Sequence, residues 1–339
     1  MLRSRLFLAV LVGMLIIAVV AGCGSQPAAK EPAGQEKKGQ TTAEEYPNRP
    51  IQLIVSYAAG GGTDVGARLL TPYLEKKLGQ PVTVVNITGG GGWVGWTQLA
   101  HAKPDGYTIG YIGYINIPNM IIGYLDPAMK RKENLESFAP IANHVLDYTV
   151  FAVRKDSRFK NIDELIDYAK EHPGELSATS TGVGSDEHIS LLEIERKTGA
   201  KFQMVQTKGF AECLTQVLGG HVDVLLGNVG EVVGPARNGD IRVLAVMSEE
   251  RSEYLPDVPT LKEKGIDVIS FAARGIAAPA GVPQEIIDKL AEAIQEAIEN
   301  PEHKKKMEEL GLALKYMHGE EYQNFLKAQE QRIRDLMGW

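Results

Sequence analysis

Residues 51–70 read IQLIVSYAAGGGTDVGARLL, and the fold is decided by how this stretch is read. An apolar run (51–57) ends in Ala59, Gly60, Gly61 and Gly62, then enters a helix at Thr63 and Asp64, residue types that favour helix starts. A strand whose glycine turn opens a helix aims free backbone N–H groups at one spot beyond the strand, a place suited to an anion. The run has too many apolar neighbours for simple alternation, which predicts a strand buried on both faces of a parallel sheet. Behind it, Val65, Leu69, Tyr73, Leu74 and Leu78 fall at helical spacing, with Pro72 expected to kink the helix and Gly79 to close it.

Outward from there the pattern repeats. PVTVVNI (81–87) predicts a strand, the glycines after Thr88 a turn, 93–102 a helix, and 107–111 a third strand. Such a βαβαβ half binds ligands beyond the carboxyl ends of its strands, so the loops 58–64, 88–93 and 112–116 converge on one edge. From Pro140 the alternation restarts. Strands are expected at 148–153, 176–179, 202–205, 222–226 and 241–247, with helices at 161–171, 185–198 and 211–218. A strand-like 268–273 and amphipathic helices at 283–300 and 320–337 follow. The expected class is α/β, two doubly wound sheets joined by two crossover strands, 148–153 and 241–247. Lobe 1 is then 46–147 plus 249–339, and lobe 2 is 148–248.

With 339 residues, 44% of them hydrophobic and 23% charged, the chain suits two domains with a sizeable core. The formal net charge of -7 argues against nucleic acid and against bulk attraction of anions, so any anion site is local. At the start, Arg3 and Arg5 precede a short apolar run ending in Val20-Ala21-Gly22-Cys23. This is too short for a comfortable span and reads as an export signal (1–22), with Cys23 as the lipidated first residue of a lipoprotein. Residues 23–45 then form a flexible tether lacking large apolar side chains. Cys213 is left as a lone thiol, expected in the core.

A second turn of the same kind lies at Ser180-Thr181-Gly182-Val183-Gly184-Ser185-Asp186-Glu187-His188. It reads as a second anion cradle opening a helix at Ser185, the plainer alternative being a strand-to-helix loop. Ser185 and His188, three residues apart, suit a cap better than a nucleophile with its base. Gly90–Gly95 satisfies G-x-G-x-x-G, but it follows the second strand and lacks the acidic residue a dinucleotide site needs. Neither G-x-S-x-G, H-E-x-x-H, C-x-x-C nor a P-loop occurs, and no two of the seven histidines stand four apart. No catalytic residue, metal or cofactor is expected.

The blocks AAGGGTDVGARLL, VNITGGGGWVGW, AKPDGYTIG, ESFAPIA, STGVGSDEHISL, VLGGHVDVLLGN, GDIRVLAVMSEERSEYLPDVPTLKEKG and AAPAGVP occur in order over nearly the whole mature chain. Together they resemble the extracytoplasmic substrate-binding proteins of tripartite tricarboxylate transporters, the Bug or TctC family. The resemblance implies a two-lobed type II periplasmic-binding-protein fold and a monomeric receptor. Such a receptor hands a small carboxylate to the integral membrane subunits of a transporter; a sensor kinase as the partner, or a secreted enzyme, are the alternatives. It further implies that Ala59, Gly60, Gly61, Gly62, Thr63 and Asp64 grip the ligand with Thr181, Gly182, Val183, Gly184 and Ser185, beside Gly113, Tyr114, His188 and Asn228. One departure matters: the family commonly has Pro-Gln where this chain has Asp186-Glu187. Either both carboxylates face solvent, or the ligand bears an amine or a single carboxylate. Trp93 is left open between stacking on an aromatic acid and packing between loop and sheet.

Overall fold

β1 (Ile51–Val55) lies in the middle of a parallel trio, between β2 (Val82–Asn86) and β3 (Thr108–Gly110). A computed structural model describes residues 45–111 and 131–338, all within one compact unit, Gln40–Trp339. Parallel pairing puts the three carboxyl ends on one edge. Helices α1 (Gly62–Leu78) and α2 (Trp93–Ala100) make the crossovers. The apolar residues of β1 are fully buried, as a strand covered on both faces requires. Pro72 sits inside one unbroken helix rather than at a break, and the carbonyl of Arg68 that its missing N–H abandons accepts from Thr71 Oγ1 at 3.2 Å.

The second trio repeats the plan. β5 (Leu176–Ser180) lies between β6 (Phe202–Gln206) and β7 (Val224–Asn228), all parallel. Helices α3 (Ile162–Glu171), α4 (Asp186–Thr198), α5 (Phe210–Leu218) and α6 (Val229–Arg237) surround it. Between the trios runs β4 (Phe138–Arg154), seventeen residues long. Up to Tyr148 it pairs antiparallel with β9 (Phe271–Pro279), and with β10 (Leu314–His318); from Thr149 onward it pairs with β7 and β8 (Ile241–Val246).

One crossing is therefore β4, considerably longer than the 148–153 expected. The other is not 241–247: β8 pairs with the far half of β4, and its last residue, Val246, bridges Thr260. The chain returns at Ser270, whose carbonyl accepts from Thr149 N and whose N–H donates to Met247 O, both at 2.9 Å, before β9 begins. Leu261 and Val268, from the segment preceding that return, pack into one core with Phe151, Leu165 and Ile194.

Helices α7 (Gln284–Glu299), α8 (Pro301–Glu309) and α9 (Gly319–Met337) complete the chain. The apolar stripe of α7 closes the first core against Leu70 and Leu74 of α1. Tyr322, Leu326 and Ile333 of α9 meet Ile189 of α4. Among the described residues no helix is long and apolar enough to cross a membrane.

Candidate functional site

Two helix N-termini, each behind a glycine turn, make up the candidate site, and they are built differently. In the first, Gly60 at φ +86° turns the chain out of β1, and α1 begins with no side-chain cap. Asp64 folds back on the turn instead. Its carboxylate accepts from Gly60 N at 2.9 Å, from Arg68 Nε at 2.9 Å and from Asn86 Nδ2 at 2.9 Å. Asn86 in turn donates to Tyr57 O, so the end of β2 clamps the turn after β1. Burial raises the Asp64 pKa, but those hydrogen bonds outweigh it and hold the carboxyl below its usual range. Asp64 thus shapes the turn, and the N–H groups of Gly62 and Thr63, the first two of α1, have no partner among the described residues.

The second turn has spent more of its groups on itself. Gly182 N donates to Ser180 Oγ and Gly184 N donates to His188 Nδ1 at 3.0 Å. Ser185 Oγ accepts from His188 N, the cap expected from its position. Because Nδ1 of His188 is an acceptor, the ring is neutral with its proton on Nε2, and burial lowers its pKa further. Thr181 Oγ1 donates to Glu187 Oε2 at 2.9 Å.

Asp186 and Glu187 do not face solvent; they are 4% and 2% exposed. The first turn of α4 points inward because Asp186 Oδ2 accepts from Thr149 Oγ1 of β4 at 2.9 Å and from Asn228 Nδ2 of β7 at 2.8 Å. Neither acid has a Lys, Arg or His within ion-pair distance among the described residues. Burial, then for Asp186 the charge of Glu187, pushes both pKa values up. Glu231, at the start of α6, is likewise pushed to about 7 by burial. The phenol of Tyr57 in the first turn feels the same field: burial and then Asp186 and Glu187 raise it well above its usual value.

Between the two turns lies a buried ion pair that sequence reading missed. Arg274 Nη1 of β9 donates to Asp147 Oδ2 of β4 at 2.6 Å, with side chains only 2% and 1% exposed. Asp147 Oδ1 accepts from Gly230 N at the start of α6, and Asn228 Nδ2 reaches the Asp147 carbonyl at 3.3 Å. On its other side the guanidinium lies against α1: a Cβ on Gly62 would stand 2.9 Å from Nη2. One chain of contacts therefore links Gly62, Arg274, Asp147, Asn228 and Asp186. The signal was available, since Asp147 and Arg274 are each a lone charge inside an apolar stretch, LDYTVFAV and ISFAARGIAA.

Of the expected residues, Ala59 to Asp64, Thr181 to Ser185 and His188 lie in or directly after these turns, and Asn228, at the end of β7, reaches the second through Asp186. Gly113, Tyr114, Cys23, the signal 1–22 and nearly all of the tether lie outside the described residues. Trp93 is packed rather than open: it is 4% exposed, edge-on to Trp96 at 5.3 Å, in a cluster with Ile54 and Phe138. Cys213 is buried, its Sγ 3.0 Å from Thr207 Oγ1. Among the described residues no group of three His, Cys, Asp or Glu is arranged to hold a metal.

A family model described as "Tripartite tricarboxylate transporter family receptor" matches residues 67–338. Protein BugT of Bordetella pertussis is 34% identical over 260 residues, covering 76% of this chain and 79% of that protein. An R. palustris protein solved with adipate superposes with a TM-score of 0.78 at 26% identity, over 87% of this chain and 99% of that one. MatC from Rhodopseudomonas palustris, solved with bound malate, gives 0.70 at 27% identity, over 86% and 98%.

Proposed function

The chain belongs to the tripartite tricarboxylate transporter receptor family, and from that premise we propose an extracytoplasmic receptor that closes two lobes on a small organic acid for a tripartite secondary transporter. The observation that carries this reading is the first turn, where the N–H groups of Gly62 and Thr63 at a helix N-terminus have no partner among the described residues. The malate and adipate held by two structural relatives are ligands of the matching chemistry. We place the ligand between Ala59, Gly60, Gly61, Gly62 and Thr63 on one side and Thr181, Gly182, Val183, Gly184 and Ser185 on the other. Asp64, His188 and Asn228 act as supports, and Gly113 and Tyr114 are proposed neighbours. The hinge is assigned to β4 near Tyr148-Thr149 and to the return at Ser270, which moves the second lobe boundary from 248 to about 270. Ligand binding shifts an open–closed equilibrium there without chemical change. A lipid on Cys23 would hold a monomeric receptor at the membrane surface, within reach of the integral subunits.

A thermal-shift screen of acetate, malate, adipate and citrate tests this reading. At a hundred times its dissociation constant a ligand adds about 2.7 kcal/mol of stability, a plain rise in melting temperature. If none of these or related small carboxylates raises it, the receptor reading fails.

A further inference from the structure

We propose that Arg274 is the charged anchor of the cleft, holding a ligand carboxylate in its guanidinium fork at the N-terminus of α1 while Asp147 fixes the opposite edge. This deepens the carboxylate-receptor reading and rests on it. Arginine carries five N–H donors. Among the described residues the Arg274 side chain makes one hydrogen bond, Nη1 to Asp147, and its buried Nε has no partner. A side chain 2% exposed whose buried Nε goes unanswered is costly unless a ligand answers it.

Its position adds a second, independent argument. Nη2 approaches the backbone of Gly62 so closely that a Cβ there would stand 2.9 Å away, and Gly62 opens α1. A helix N-terminus is the positive end of the dipole, so a guanidinium beside it is repelled. Both are relieved when one anion accepts from the guanidinium and from the free N–H groups of Gly62 and Thr63 together. A planar carboxylate fits that fork with two parallel hydrogen bonds. Asp147, itself held by Gly230 N, orients the fork and is a positioning residue.

Arg274→Ala alone would strand Asp147 as a buried charge, so the test uses two other variants. The pair Arg274→Gln with Asp147→Asn removes both charges together, and Arg274→Lys keeps the charge but loses the fork. Each is titrated by calorimetry with whichever of acetate, malate, adipate or citrate binds the wild type most tightly. The expected result is a loss of about 100-fold for the pair and about tenfold for Arg274→Lys, with cooperative melting retained. Should the pair variant fail to melt cooperatively, Arg274→Lys decides the matter. Affinity within about threefold of wild type in a cooperatively melting variant overturns the anchor and leaves the receptor reading standing. Absence of binding to the wild type itself overturns the receptor reading, and with it the anchor.

Discussion

The turn after β1 and the turn after β5 share one plan, strand, glycine loop and helix N-terminus, yet they use their acidic residues in opposite ways. Asp64 is ionised, paired with Arg68 and folded back onto its own loop. Asp186 and Glu187 are buried with no ion-pair partner among the described residues and are held toward their protonated forms. One turn leaves two N–H groups without a partner among the described residues, while the other surrounds its helix start with acid. The lesson is that a carboxyl group in a first helical turn has no set role: its partners decide whether it builds the site or limits what enters it.

The largest expected effect separates the two directly. Asp64→Ala removes the acceptor for Gly60, Arg68 and Asn86, and should cost about 2–3 kcal/mol in urea unfolding. Asp186→Asn keeps an oxygen for Thr149 and Asn228 and should change stability by less than about 0.5 kcal/mol, or raise it at pH 8. Equal losses at the two sites would break the comparison.

The next effect is a difference of sign with pH. The folded pKa of Asp64 lies below its ordinary 3.8, so its contribution is present above that value and disappears as pH falls through the folded one. Asp186, Glu187 and Glu231 are raised from 3.8, 4.5 and 4.5, so theirs is complete below those values and is lost as pH rises through the folded ones, about 7 for Glu231. His144, His188 and His303, lowered by burial from 6.5, act with the opposite sign up to that value, so the melting temperature of the ligand-free protein should decline between about pH 6.5 and 8. The double variant Asp186→Asn with Glu187→Gln should flatten that slope, and Asp64→Asn should leave it in place. A wild-type profile that rises across this range would contradict the burial of the acids. The smallest effect is the cap, present only in the second turn: Ser185→Ala should cost about 1 kcal/mol in the same unfolding measurement, and no loss would mean the hydroxyl does not hold His188 N.

Local signals were legible wherever a few neighbouring residues determine the backbone. The glycine turns, the Ser185 cap, the parallel strands and the stripes of α1 and α7 all depend on spacing within one element. β4 was read short because Asn143, His144 and Asp147 interrupt its apolar pattern. Each is buried against a distant group: Asn143 donates to Lys315 O, His144 bonds His303 at 2.9 Å, and Asp147 pairs with Arg274. β10, α6 and α8 were passed over for a similar reason, since their burial comes from β4 and its neighbours and not from a strong pattern of their own.

The sequence by itself determined that this is an α/β chain with two glycine turns opening helices, because strand alternation, helical spacing and turn chemistry act over a few residues. Only the tertiary structure decided which charges meet. Asp64 and Asn86 are 22 residues apart, Asp186 and Asn228 are 42, and Asp147 and Arg274 are 127. At those separations no local rule sets a partner; packing of the two trios around β4 does. The balance of burial against hydrogen-bond partners then sets the sign of each pKa shift, downward for Asp64 and upward for Asp186 and Glu187.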